Sequence, residues 1–214
     1  MSARKRTARD ERRRRLGQNF LNPATADQLI DRAAFRRGEV AVEIGAGSGV
    51  ITLALARQGV EVIAVEPDPV WYARLRARAR SMPQIHVVNA DFLVLPLPRA
   101  PFRVVGSLPF GKTTDMLHRL LDDPRTAMQR ADLIVQWDVA RKRAATPPTT
   151  LLSALWAPWW EFHLGFRIPA TEFRPIPRVD AALLTITRRD PPVLPISMAR
   201  PYADFVHRGW PFAH

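Results

Sequence analysis

The stretch Val42-Glu43-Ile44-Gly45-Ala46-Gly47-Ser48-Gly49-Val50 restricts the possible folds of this chain more than any other. A β-branched run (Val40, Val42, Ile44) leads into three glycines at alternate positions, and the helix-favouring segment 51–57 follows. Strand, tight turn and helix in that order open a nucleotide-binding βαβ unit. Glycines permit positive φ there and let a ligand approach where a Cβ would stand. A second strand, 60–65, ends in Glu66. A carboxylate about 20 residues past the glycines suits bidentate hydrogen bonding to a ribose diol.

The spacing of the glycines narrows the ligand. A dinucleotide fingerprint reads G-x-G-x-x-G, its third glycine packing the helix under a pyrophosphate. Here the pattern is G-x-G-x-G, preceded by Glu43. That variant suits S-adenosylmethionine, which carries a ribose and an adenine but no phosphate. The expected fold class is α/β, a Rossmann-like S-adenosylmethionine-dependent methyltransferase with a seven-stranded, mostly parallel sheet.

The charge points to the partner. A net charge of +12 calls for a polyanion, and eight of the first fifteen residues are basic (Arg4, Lys5, Arg6, Arg9 and Arg12 to Arg15). Residues 1–15 are expected to be a solvated, disordered arm that neutralises nucleic-acid phosphates. Asp10 and Glu11 interrupt the run, which argues against a transit peptide. No apolar run reaches the roughly 18 residues of a membrane span, and no signal peptide is visible, so a cytoplasmic location is expected. With no cysteine, a covalent cysteine adduct of the kind used for pyrimidine carbon-5 methylation is excluded. Only three lysines occur (Lys5, Lys112, Lys142), which disfavours 2′-O-methyl transfer built on paired lysines and leaves a nitrogen acceptor as the simplest target. The five histidines are dispersed without ligand spacing, and no metal is expected.

Along the chain, Gln18-Asn19-Phe20-Leu21-Asn22 precedes an amphipathic helix from Pro23 to Ala34, with Asn22 as its N-cap. Gln18 and Asn19 are placed to reach a ligand over the sheet edge; taken by itself, the heptapeptide 16–22 is no more than a helix cap with a core anchor at Phe20. After Glu66 a helix spans about Pro69 to Arg80, with an arginine face expected in solvent. The third strand, Ile85 to Val88, is followed by Asn89-Ala90-Asp91. Asp91 just past a strand end is either an acceptor for the adenine amino group or a turn aspartate. The fourth strand, Phe102 to Val105, exits into Gly106-Ser107-Leu108-Pro109-Phe110. At the edge of a cofactor-binding sheet, the Ser107 hydroxyl and the Leu108 carbonyl are candidates to grip the two hydrogens of an exocyclic amine. That grip would pyramidalise the nitrogen and aim its lone pair, with Pro109 fixing the turn and Phe110 stacking on a base swung out of its helix. Without that setting, the same four residues are an ordinary strand exit with a core aromatic.

A helix at 113–121, a fifth strand at 131–137 and a basic helix start from Asp138 follow. Leu151 to Trp160 is tryptophan-rich, and Trp156, Trp159 and Trp160 are assigned to packing. Strands are expected near 161–168 and 181–187. Phe173 to Asp180 is expected to be a connection, because its prolines cannot donate to a ladder. The methyltransferase domain is placed at 16–190, and a proline-rich linker with a short helical segment at 191–214.

Gln18 to Leu21, Glu43 to Gly49, Glu66, Asn89 to Asp91, Ser107 to Phe110, Gln136 to Arg141 and Phe173 to Asp180, in this order, make the chain resemble the rRNA adenine N6-methyltransferases. These are the family of the Erm resistance enzymes and the KsgA/Dim1 dimethylases. The arginine-rich arm and the Ser107-to-Thr114 surroundings are closer to the Erm branch. The resemblance implies that Asn19 and Leu21 close over the cofactor, that Gly45 and Gly47 lie under it, and that Glu66 takes the ribose and Asp91 the adenine. Ser107 borders both cofactor and acceptor, and Phe110 stacks the target adenine. It further implies a monomer acting on one adenosine of 23S rRNA, free or in an assembling particle, with resistance to macrolides, lincosamides and streptogramin B. A 16S rRNA dimethylase and a catalytically weak RNA-binding assembly factor are the alternatives. Two departures stand out: serine replaces the family's usual asparagine at Ser107, and only about 25 residues follow Arg189, where the family usually carries a helical C-terminal domain. That points to a reduced C-terminal appendage.

Overall fold

A computed structural model describes residues 19–210. The basic arm at 1–15, Gln18 and the last four residues lie outside the described part. Nine strands and seven α-helices are described: β1 Phe20–Leu21, α1 Pro23–Ala33, β2 Val40–Ile44, α2 Val50–Arg57, β3 Glu61–Val65, α3 Pro69–Arg78, β4 Ile85–Val88, β5 Phe102–Ser107, α4 Thr113–Leu121, β6 Met128–Gln136, α5 Trp137–Arg143, α6 Leu151–Trp156, β7 Trp160–Ile168, β8 Phe173–Arg174, β9 Ala181–Arg188 and α7 Ala199–Gly209. No helix among them is long and apolar enough to cross a membrane.

Seven strands form one sheet in the order β4-β3-β2-β5-β6-β9-β7. Five are parallel neighbours, and β9 runs antiparallel between β6 and β7. The expected seven-stranded, mostly parallel sheet is therefore present. Side chains alternate across it. Val42 and Ile44 of β2 join the layer built on α4 and α6 (Leu117, Leu120, Trp156), while Ala41 joins the layer built on α1 and α2 (Leu29, Ile30, Leu55). Because both faces are covered, the strands read as continuous apolar runs.

Local chemistry sets the helix starts. Asn22 accepts a hydrogen bond from the Ala24 N–H with Pro23 next in line, and Asp68 accepts from the Val70 N–H with Pro69 next. Each cap satisfies a donor the first turn leaves open, and proline loses nothing there. Trp156, Trp159 and Trp160 are buried, as the packing assignment required. In the middle of β6, the fully buried Asp132 accepts from Arg103, Arg130 and Thr185.

Two boundaries differ from expectation. The fifth strand begins at Met128, and Trp137 has passed into α5. Phe173–Arg174, expected in a connection, pair antiparallel with β1 (Phe20↔Arg174, Leu21↔Phe173). The bar on prolines holds from Pro175 onward, and the two residues before it still have donors to give. The segment after Arg189 lies against the domain: the Val193 N–H reaches the Pro158 carbonyl, the Trp159 indole donates to Leu194 O, and the Tyr202 hydroxyl donates to Ala154 O from α7.

Candidate active site

The parallel strands end at one edge, and there the chain forms a cleft. One wall is the glycine turn. Gly45, Gly47 and Gly49 all have positive φ (71°, 51° and 81°). A Cβ on Gly45, exposed at the cleft, would enter open space, so backbone conformation rather than crowding demands glycine there. Gly47 is constrained twice, because a Cβ would also stand 3.1 Å from the Phe20 ring.

Glu66 stands at the end of β3, 4% exposed. One carboxylate oxygen accepts from the Gly47 N–H at 2.7 Å and the other from the Asp68 N–H at 2.8 Å. Burial nonetheless pushes its pKa up, the two N–H donors opposing. The Asn89 amide donates to the Glu66 carbonyl and ties the ends of β3 and β4 together. Each carboxylate oxygen keeps a lone pair for a further donor. A fixed two-oxygen acceptor beside a glycine turn fits the ribose of S-adenosylmethionine. Behind it lies the fully buried Glu43, whose desolvation raises its pKa to about 8 despite the Thr52 hydroxyl donating at 2.5 Å.

The facing wall is the exit of β5. Ser107 pairs in register with Ile134, and the Leu108 N–H continues the ladder to the Ile134 carbonyl at 3.0 Å. The Ser107–Leu108 peptide is thus fixed by the sheet, with Leu108 buried beneath it. Phe110 lies edge-on to Phe173 of β8, ring centres 6.5 Å apart. β1 crosses between the walls: Asn19, Phe20 and Leu21 line the cleft, and the Phe20 ring packs 4.6 Å from Trp71 on α3.

Of the residues expected at the site, Asn19, Leu21, Gly45, Gly47, Glu66, Ser107, Leu108 and Phe110 meet in this one cleft. Gln18 lies outside the described residues. Asp91 stands exposed, its carboxylate 3.5 Å from the Lys112 ammonium and not in the cleft lining. Phe20 also lines the cleft. Pro67, Ile51 and the supporting Trp71 were missed. Nothing in the sequence marks Trp71, because its role depends on where α3 lies relative to β1.

The sequence profile of the family described as "Ribosomal RNA adenine dimethylase" matches residues 9–208. The chain belongs to this family. It is thereby an rRNA adenine N6-methyltransferase, with the fold of the S-adenosylmethionine-dependent methyltransferases. A protein of Corynebacterium diphtheriae named rRNA adenine N-6-methyltransferase is 40% identical over 192 residues, covering 89% of this chain and 74% of that one. The mycinamicin-resistance protein MyrB of Micromonospora griseorubida is 38% identical over 196 residues, 91% of this chain and 61% of its own. A Synechococcus protein named ribosomal RNA small subunit methyltransferase A is 35% identical over 193 residues, 84% of this chain and 68% of its own. Among solved structures, the 23S rRNA methyltransferase ErmE superposes with a TM-score of 0.82 at 30% identity, over 91% of this chain and 80% of that one.

Proposed function

We propose that this member of the family methylates N6 of one adenosine in 23S rRNA from S-adenosylmethionine, and so confers resistance to macrolides, lincosamides and streptogramin B. One observation carries the reading: Glu66, the glycine turn and the Ser107-to-Phe110 exit line a single cleft. The likeness to ErmE and to MyrB supports the large-subunit target and the resistance phenotype.

When bound, S-adenosylmethionine supplies an electrophilic methyl group on a sulfonium. Glu66 holds the ribose diol, Gly45 and Gly47 leave room beneath, and Asn19 and Leu21 close above. Asp91, whose carboxylate also accepts from the Leu93 N–H, would be the residue to take the adenine amino group, and its exposed ion pair with Lys112 contributes less than about 1 kcal/mol against that. On the acceptor side, the Ser107 hydroxyl oxygen and the Leu108 carbonyl accept the two N6 hydrogens and localise the nitrogen lone pair. No strong base is required beforehand, because the amine's proton becomes acidic once the methyl is attached. Phe110 stacks the extruded base, whose unstacking costs a few kcal/mol.

Tritiated methyl transfer to naked 23S and 16S rRNA, with primer extension to locate the modified base, tests the reading. The expected result is a stop at one adenosine in the peptidyl-transferase loop of 23S rRNA. A stop in 16S rRNA selects the small-subunit reading favoured by the Synechococcus relative. Incorporation into neither overturns both on free RNA.

A further inference from the structure

Beside the acceptor wall lies a second, shallow concavity that the methyl-transfer reading leaves without a task. Trp137, Arg167, Arg178 and Val179 line it with Asp138 and Asp180. Its position follows from the ladder. Ser107 pairs with Ile134, β6 ends two residues later, and Trp137 opens α5. Adjacent strands lie about 4.8 Å apart, so Trp137 emerges next to the Ser107–Phe110 exit on the same edge.

The composition of this surface is unusual for a solvated rim. Trp137 packs in part against the core yet stays half-buried, where Trp156, Trp159 and Trp160 are buried. Val179 is 44% exposed, and Ile176 on the same segment is 57% exposed. The Arg167 guanidinium stands 5.1 Å from the centre of the Trp137 ring. It is held there by Asp180, which also accepts from the Ala170 N–H. The backbone is pinned too, the Trp137 N–H donating to the Asp180 carbonyl at 3.0 Å. Two of Arg167's five donors serve Asp180, and the side chain remains 60% exposed. Arg178 is exposed as well. Asp138 is drawn toward Arg141 at 3.6 Å, so three arginines face two carboxylates and the surface stays cationic. Exposed apolar and aromatic groups interleaved with arginines form the platform on which unpaired bases stack while phosphates are neutralised.

We infer that Trp137, Val179, Arg167 and Arg178 form a subsite for one unpaired nucleotide flanking the target adenosine, with its base against the Trp137–Val179 surface and its phosphate at the arginines. This rests on the RNA-methylating reading above and adds to it where the neighbouring nucleotide is read. An opened-out target needs such a partner, because a flanking base that loses its stacking neighbour regains one here.

The test is a double-mutant cycle on a hairpin carrying the peptidyl-transferase loop of 23S rRNA, with an abasic residue placed in turn on either side of the target. Trp137→Ala is expected to weaken hairpin binding about tenfold, in the range for one lost base stack, and to leave S-adenosylhomocysteine affinity within twofold. One of the two abasic hairpins is expected to bind the wild type about as weakly, and Trp137→Ala is expected to show no further loss on it. Trp137→Phe restores most of the affinity. Arg178→Ala lowers the slope of log affinity against log salt by about 0.7, as one lost phosphate contact on a single strand requires. Additive losses on both abasic hairpins, or unchanged affinity in Trp137→Ala, overturn the subsite while wild-type methylation keeps the parent reading intact. A wild-type enzyme that neither binds nor methylates the hairpin overturns both.

Discussion

Ser107 has a shorter reach than the asparagine usual in the family, yet the β5–β6 ladder fixes its main chain, and so the loss is one of side-chain length alone. Its hydroxyl is an acceptor needed only as the amine pyramidalises, and removing one such contact costs about 10²-fold in rate. Ser107→Ala is therefore expected to lower single-turnover methylation by about that factor. Ser107→Asn is expected to raise it above the wild type, measured with saturating cofactor and RNA. Glu43 carries a second prediction. Its carboxyl titrates near 8 in the fold against 4.5 as its ordinary value, because burial disfavours the charged form. Between those values the native state keeps a proton that the unfolded chain has released. This contribution is present in full below 4.5 and is gone once the pH has risen through about 8, at a slope of about 1.4 kcal/mol per pH unit. Urea unfolding at pH 5, 6.5 and 8 is expected to show the wild type losing stability relative to Glu43→Gln as pH rises. Parallel curves for the two proteins would contradict it.

At the scale of elements, β1 is a two-residue strand with two anchors. One is β8; the other is the Phe20 ring seated on Gly47 and Trp71, with the Arg74 guanidinium 4.9 Å from the centre of the indole ring. α3 grips the glycine turn again through Arg78, which donates to the Ser48 carbonyl at 2.7 Å. A short strand is ordered only by such contacts, and its seating determines how much of the protein is ready to bind the cofactor. Trp71→Ala is expected to weaken S-adenosylhomocysteine binding about fivefold, the scale of a lost aromatic pair, with Trp71→Phe restoring it. Calorimetric titration checks this, and equal affinity in all three proteins would remove Trp71 from the cofactor's support.

The molecule as a whole is cationic, and much of its charge is concentrated before residue 16. Each phosphate neutralised steepens the salt dependence of RNA affinity. Deleting residues 2–15 is expected to flatten the slope of log affinity against log salt for 23S rRNA fragments by several units, with S-adenosylhomocysteine affinity unchanged. An unaltered slope would assign the RNA contact to the folded domain alone. The sequence by itself determined the sheet, the glycine turn and both walls of the cleft. Strand period, helix caps and turn glycines are local properties, written within a few residues of where they act. Glu66 and Ser107 were legible because each follows directly on a strand, and every parallel strand of such a sheet delivers its last residue to the same edge. Tertiary structure alone decided the pairing of Phe173–Arg174 with β1, the seating of Phe20 on Trp71, the turning of Asp91 toward Lys112 and the meeting of Trp137 with Arg167 and Val179. Each of these joins residues from separate elements, and contact across elements depends on how whole helices and strands pack, which no local pattern records.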